Sequence, residues 1–402
     1  MGSDAIVIKA IKDVRFQNFK SLFDFYLPLS HFTCLIGLNG VGKSTVLQAF
    51  DFLSQLMKGA LDDWLAVRGW LSKDLKFSLP ERQGKTIVFS VSFAVDMEMD
   101  STQTLCWSGS FSQRLMRCKA EKVELKTKND SNISVLLRVA GNRFSLRGGR
   151  QQDIPFKYCG SILSQLEDDF LEKNGVPELS TLRSYVKDFK SLELLSPHLL
   201  KANSRGTRRD IGLGGERFPS FLEPILNEGQ KKLLEKLQEF YPQIASLDVR
   251  RGKFGVRSLA FMEDCGENGK IVHGARHIND GTLRMLAILS QTLASGTLLL
   301  FDEIENGINP ALMEKLVRCL LESDRQILVT THNPIVLNFL PEEAAKESVF
   351  LIYKQHGKTL ALPFFQCPET LAKLDLLGPG EVYLDTDVRE LTESLLSEES
   401  PR

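Results

Sequence analysis

Residues 37–45 read GLNGVGKST, which sets Gly37, Gly42, Lys43 and Ser44 in the pattern G-x-x-x-x-G-K-[ST]. The run before it, HFTCLIG, is apolar and strand-like. The run after it, VLQAFDFLSQLM, repeats Val46, Leu47, Phe50, Leu53 and Met57 at helical spacing. A strand that turns this sharply into a helix constrains the chain more than any other stretch. Glycine permits the curled backbone in which successive N–H groups and the helix N-terminus face phosphate oxygens. Lys43 then supplies a point charge to the β and γ phosphates of a nucleoside triphosphate, and Ser44 offers a hydroxyl to Mg²⁺. Asn39, Gly40, Gly42, Lys43, Ser44 and Thr45 are therefore the expected nucleotide-binding residues of this segment, with Ser44 also a metal ligand.

A second half of such a site lies far downstream. In LLLFDEIE, Leu298 to Glu305, four apolar residues make a buried parallel-type strand, and Asp302 at its carboxyl end is placed to hold Mg²⁺. Glu303 follows at once and is the expected group to orient and polarise an attacking water. RQILVTTH forms another apolar strand that ends at His332, where an imidazole can contact the γ-phosphate. Glu303 and His332 are thus the expected catalytic pair.

The chain has 402 residues, 50 Lys+Arg against 51 Asp+Glu and a hydrophobic fraction of 43%, an ordinary soluble composition that excludes a chain-wide polybasic surface and acidic disorder. Any nucleic-acid contact must come from a local patch. No apolar run approaches the roughly 18 residues that span a bilayer, and the N-terminus carries no signal-peptide pattern, so a cytoplasmic protein is expected. The seven cysteines never form a CxxC pair and read as reduced thiols. His273 and His277 lack the neighbours of a metal set.

Length and texture divide the chain into three parts. Residues 1–150 hold short strands, the glycine-rich turn, a helical lid over residues 58–80 and a β-rich part in which TIVFSVSFAV, QTLCWSGSF and ISVLLRVA are the clearest strands. Residues 151–245 are mainly helical, with apolar stripes in SILSQLEDDFLEK and FLEPILNEGQKKLLEKLQEFYPQI. Residues 246–402 return to strands, pass through HINDGTLRMLAILSQTL, LLLFDEIENGINP and RQILVTTHNP, and end in an acidic tail.

Taken together, FQNFKS (Phe16 to Ser21), GLNGVGKST, INDGTLRMLAIL (Ile278 to Leu289), LLLFDEIENGINP and TTHNP resemble the ABC-type ATPase head shared by SMC, RecF and OLD-like proteins, and most closely the compact AAA-type ATP-binding proteins of bacteria. INDGT precedes Asp302 by the length of one helix and one strand, as the signature does in this class. The resemblance implies an α/β P-loop NTPase of ABC-ATPase type with an N-terminal β-rich part and an inserted mixed β/helical lobe. It implies ATP and Mg²⁺ as cofactors, and a homodimer that sandwiches ATP. Asn279, Asp280, Gly281 and Thr282 would then act on the nucleotide of the partner subunit, with Glu305, Asn306, Gly307, Ile308 and Asn309 as the loop that crosses between sites.

Asn279 stands where the signature serine usually does, and Gln151 and Gln152 match the Q-loop glutamine by residue type alone. The residues after His332 are too few for the nuclease domain of OLD-like proteins. The most basic segment, KANSRGTRRDIGLGGER, offers Arg205, Arg208 and Arg209 to DNA phosphates or to a partner, and NRFSLRGGR (Arg143, Arg147, Arg150) could extend that surface. Three functions follow: an ATP-driven switch for a separate effector in bacterial anti-phage defence, a RecF/SMC-like DNA repair or DNA-end-binding ATPase, and a non-hydrolysing scaffold.

Overall fold

The structure, a computed structural model, describes residues 6–76, 86–96, 103–126, 133–208 and 210–399. It forms two compact units, residues 1–189, 346–371 and 387–402 in the first and residues 190–345 and 372–386 in the second.

The chain begins with β1 (Val7–Gln17), β2 (Phe25–Pro28), β3 (Phe32–Ile36), α1 (Lys43–Lys58) and α2 (Leu61–Arg68). Then follow β4 (Ile87–Asp96), β5 (Gln103–Ser112), β6 (Arg117–Lys126), β7 (Ile133–Ala140), β8 (Arg143–Leu146) and β9 (Gln152–Asp153), and the helices α3 (Asp168–Lys173) and α4 (Glu178–Lys187). The second unit opens with β10 (Lys190–Leu192), α5 (Pro197–Leu200), β11 (Ser204–Arg205) and α6 (Phe218–Phe240). It goes on through β12 (Ile244–Arg251), β13 (Val256–Asp264), β14 (Lys270–Gly274), α7 (Asp280–Leu293), β15 (Leu298–Phe301), α8 (Pro310–Leu321), β16 (Gln326–Thr330) and α9 (Pro334–Asn338). After α10 (Glu342–Ser348) come β17 (Val349–Gln355), β18 (Lys358–Pro363), α11 (Pro368–Leu374), α12 (Pro379–Leu384) and α13 (Val388–Glu399).

In the first unit, β2-β1-β4-β5-β6-β7-β8-β9 form one antiparallel sheet. Alternation makes its inner face: along β4, Ile87, Phe89, Val91, Phe93 and Val95 are buried and the residues between them are not. Trp107 packs edge-on against Phe89, with ring centroids 4.6 Å apart. The strands expected from TIVFSVSFAV, QTLCWSGSF and ISVLLRVA are β4, β5 and β7. Charged alternation hides β6 in the sequence, and there Glu121 is fully enclosed. Its Oε1 accepts from Trp107 Nε1 at 2.8 Å and from the Ser161 hydroxyl, and its Oε2 accepts from Ile162 N at 3.2 Å. Burial pushes its carboxyl above the usual range, and these donors oppose the shift.

The same unit carries β3, buried at every residue, paired parallel to β17, with β18 antiparallel on the far edge of β17. A strand covered on both faces reads as a continuous apolar run, as FTCLI does. The helical stretch expected after residue 58 is α2 and a short 3-10 turn at Ser72–Leu75; residues 77–80 lie outside the described residues. Asp51 of α1 ties α2 down. It accepts from Trp64 Nε1 at 2.6 Å, Arg68 Nη2 at 2.8 Å and Gln55 Nε2 at 3.0 Å, and the Arg68 guanidinium lies over the Trp64 ring.

In the second unit β10, β15 and β16 are parallel, and β15 and β16 are buried throughout. β12 and β13 form a hairpin whose outer edge takes β11 and then β14. The apolar stripe of FLEPILNEGQKKLLEKLQEF becomes α6, broken at Gly229 where φ is −148°. Among the described residues no helix is long and apolar enough to cross a membrane.

Asp51→Ala would leave the Trp64 indole N–H without its carboxylate acceptor and remove a charge partner from Arg68. We expect a loss of about 2–4 kcal/mol in urea unfolding, and a smaller loss for Asp51→Asn, whose carbonyl still accepts.

Candidate nucleotide site

The glycine-rich turn of the first unit is shaped by what leaves no room for side chains. Gly37, Gly40 and Gly42 have φ of 139°, 77° and 111°. A Cβ on Gly37 would overlap the carbonyl oxygen of Ile352 in β17, and one on Gly42 would overlap Thr359 Oγ1 in β18. Thr359, buried, donates to the Val41 carbonyl at 2.7 Å, lies 2.7 Å from Ser21 Oγ, and donates its N–H to the Ser21 carbonyl at 2.9 Å. The turn is thus pinned from β18 and from the segment after β1. Lys43 Nζ donates to the carbonyls of Gly37 and Leu38 at 2.7 and 3.0 Å, so its ammonium sits at the mouth of the loop.

α1 begins at Lys43 with no side-chain cap from Gly42 and no acidic residue in its first turn. No carboxylate of that turn competes for its N–H groups, and a Cβ at Gly40 would meet nothing within 4 Å. This cradle of open glycine backbone, a helix start and Lys43 fits a polyphosphate. Asn39 and Gly40 are exposed beside it, and Ser44 and Thr45 are half-buried on α1. The hydroxyl of Ser44 is a hard oxygen donor of the kind Mg²⁺ prefers, and so, within the second unit, is the carboxylate of Asp302.

In the second unit Asp302 and Glu303 follow the last residue of β15. Thr330, at the end of β16, donates its hydroxyl to Asp302 Oδ1 at 2.5 Å and accepts the Glu303 N–H at 2.8 Å. Glu303 adopts φ 47°, a left-handed conformation that costs a non-glycine residue of order 1–3 kcal/mol. Two hydrogen bonds from beneath hold it there: Arg284 Nη2, buried on α7, donates to the carbonyls of Asp302 and Glu303 at 3.0 and 2.8 Å. Burial pushes the Arg284 guanidinium below its usual pKa, against the pull of Glu303, Glu305 and Asp302. His332 lies just beyond β16, half exposed, with its N–H and Nδ1 both 2.9 Å from Glu305 Oε1.

The signature residues stand at the start of α7. Asn279 is the N-cap: its Oδ1 accepts from Thr282 N at 2.7 Å and from Thr282 Oγ1 at 2.9 Å. Asparagine, like serine, is a favoured N-cap. A Cβ on Gly281 would overlap the Gly307 carbonyl, so the signature turn and the 305–309 loop touch backbone to backbone. Asn309 closes that loop by capping α8, accepting from Ala311 N at 3.0 Å.

Within the second unit, then, Asp302, Glu303 and His332 gather at the carboxyl ends of β15 and β16, with Asn279, Gly281 and Thr282 against the neighbouring loop. Asn39, Gly40, Gly42, Lys43, Ser44 and Thr45 form one continuous turn in the first unit. Sequence reasoning passed over Arg284, Thr330 and Thr359. A signal for Arg284 was present, an arginine inside the apolar run LRMLAIL, whereas two threonines in strand ends carry none. Gln151 and Gln152 stand exposed at the β9 end of the antiparallel sheet.

The basic segments are partly neutralised. Lys201 pairs with Asp280 at 2.6 Å and Arg217 with Asp210 at 2.7 Å, which leaves Arg205 and Arg208 exposed; Arg209 lies outside the described residues. Arg143 pairs with Asp153 at 3.2 Å and Arg147 with Glu178 at 2.8 Å, while Arg150 of the same segment is exposed.

Thr330→Val keeps the shape of the strand end but removes the donor to the Asp302 carboxylate and the acceptor of the Glu303 N–H. The expected result is a drop in kcat for ATP of about 10- to 100-fold, with nucleotide affinity within about twofold, measured by steady-state phosphate release and nucleotide titration.

Two family models match the chain. Residues 10–143 match one described as an AAA ATPase domain, and residues 157–338 match one described as an AAA domain of AbiEii-toxin, Type IV TA system type. No curated protein matches it. Among solved structures, an SMC head bound to the C-winged helix domain of ScpA is 14% identical, with 88% of this chain and 97% of that one covered and a TM-score of 0.51. The SMC head domain from Thermotoga maritima is 12% identical over 88% and 98% of the two chains, TM-score 0.45. An SMC head with an extended coiled coil, bound to the C-terminal domain of ScpA derived from Pyrococcus furiosus, is 14% identical over 91% and 99%, TM-score 0.46. With AAA ATPase-domain models matching both sides of the chain and a glycine-rich turn between strand and helix, the protein is an ATPase whose fold is similar to that of an SMC head.

Proposed function

We propose that this ATPase is a nucleotide-controlled switch that dimerises around ATP and passes its nucleotide state to a separate effector, a nuclease or toxin, in bacterial anti-phage defence. The observation that carries the proposal is the start of α7, where Asn279 and Asp280 are exposed ahead of the half-buried Gly281 and the buried Thr282. A helix start whose first residues are exposed suits contact with a nucleotide held by a second copy, once the Asn279 cap and Asp280 are turned aside. The AbiEii-type match over residues 157–338 supports the defence reading. The ScpA domain bound to the SMC head of similar fold supports a protein partner.

In this reading Asn39, Gly40, Gly42, Lys43, Ser44 and Thr45 bind the triphosphate, and Asn279, Gly281 and Thr282 serve the nucleotide of the partner subunit. Ser44 and Asp302 would hold Mg²⁺, which would supply positive charge to the triphosphate. Glu303 orients the attacking water and accepts its proton as the new bond to the γ-phosphorus forms and the bond to the bridging oxygen of ADP breaks. Thr330 and Arg284 keep Glu303 aimed, and His332 contacts the γ-phosphate.

A second reading, a DNA-end-binding ATPase, draws on the β12–β13 hairpin. Arg205 of β11 pairs with Val256 near its tip, where Arg250 and Lys253 are exposed and Phe254 is 90% exposed. Linear duplex DNA that stimulates turnover, with the stimulation lost as salt rises, would favour this reading over the effector switch.

Glu303→Gln is expected to bind ATP, to hydrolyse it at least about 100-fold more slowly and to elute as a dimer with ATP and Mg²⁺. A variant that stays monomeric with ATP bound would sink the dimer. Lys43→Ala is expected to lose nucleotide binding in a direct titration, and full affinity would remove the phosphate cradle from the argument.

A further inference from the structure

Glu305 belongs to the loop after β15, yet its carboxylate turns inward and only 7% of its side chain is exposed. Oε1 receives two contacts from one residue, the backbone N–H of His332 and the ring Nδ1, each at 2.9 Å. Oε2 is buried and has no hydrogen-bond partner. Enclosing a carboxylate is costly, and half of this one gains nothing in return from packing. A residue needed only to fill the loop would not place a carboxyl group there.

We propose that Glu305 is a positioning residue that sets the tautomer and heading of the His332 imidazole. A carboxylate only accepts hydrogen bonds, so the ring nitrogen beside it, Nδ1, must carry the hydrogen. The grip on the backbone N–H fixes where the ring starts, and the grip on Nδ1 fixes which way it points. Nε2 is then the nitrogen left for the nucleotide. A neutral imidazole in water favours hydrogen on Nε2, so without Glu305 the ring would change tautomer as well as gain rotational freedom. Glu305 also sits two residues before Gly307, whose carbonyl abuts Gly281 at the start of α7. A displacement of the signature turn therefore reaches His332 through a single loop.

The inference rests on the reading of His332 as a γ-phosphate contact, and its test separates the two. Six histidines make ¹⁵N-imidazole NMR of the whole chain tractable, with His332 assigned by loss of its signals in His332→Gln. At a pH where the imidazoles are neutral, His332 is expected in the Nδ1–H form. Glu305→Ala should move it toward Nε2–H and lower kcat for ATP about 10- to 100-fold with KM nearly unchanged. Glu305→Gln, whose carbonyl oxygen still accepts, should retain the Nδ1–H form and most of kcat, and it remains informative if the alanine variant folds poorly. A ring unaltered in Glu305→Ala, or an Nε2–H ring in the parent protein, overturns the proposal whatever the kinetics show. A changed tautomer with unchanged kcat overturns it too, provided His332→Gln itself loses turnover. If His332→Gln turns over ATP normally, the γ-phosphate reading fails instead, and the NMR result still decides whether Glu305 holds the ring.

Discussion

The guanidinium of Arg284 lies beneath the tip of β15 and donates from one nitrogen to the carbonyl oxygens of Asp302 and Glu303. Those oxygens belong to a backbone that has just left its strand and, at Glu303, has entered left-handed space. Without a donor below, it would relax toward ordinary geometry and carry the carboxylates with it. Because Arg284 sits on the same helix that Asn279 caps, the signature and the carboxylate pair are held by one rigid element. This joins the start of α7 to the end of β15 in a way the separate motifs do not reveal.

The glycine-rich turn obeys the same logic with a different device. Its shape comes from neighbours that exclude side chains: the Ile352 carbonyl on one side and Thr359 on the other. β17 and β18, more than three hundred residues downstream, thereby decide which positions of the turn must be glycine. Gly40 differs, since its surroundings are open and only its positive φ calls for glycine.

Much of this was legible beforehand. The glycine-rich turn, LLLFDEIE and RQILVTTH declare their strands because buried parallel strands are unbroken apolar runs, and the half-buried β4, β5 and β7 declare theirs by alternation. β6 did not, because Arg117, Lys119, Lys122 and Glu124 mask its period and its one inward acid, Glu121, looks like the others. Arg143 and Arg147 read as a basic surface, since the carboxylates that neutralise them, Asp153 and Glu178, come from other stretches of chain. The same limit hid the grip of Glu305 on His332, since the resemblance placed Glu305 only in the loop that crosses between sites.

The chemistry is written locally in the chain, because phosphate binding requires a run of consecutive residues, GLNGVGKST, and a strand ending in paired carboxylates is equally local. Tertiary structure decided which polar groups aim that chemistry. Thr359 and Val41, Thr330 and Asp302, Arg284 and Glu303, and Glu305 and His332 are far apart in the chain. Each pair depends on a hydrogen bond whose two ends meet only when distant segments of the chain pack together. A hydrogen bond tolerates only a few tenths of an ångström, and no periodicity along a single chain can encode that.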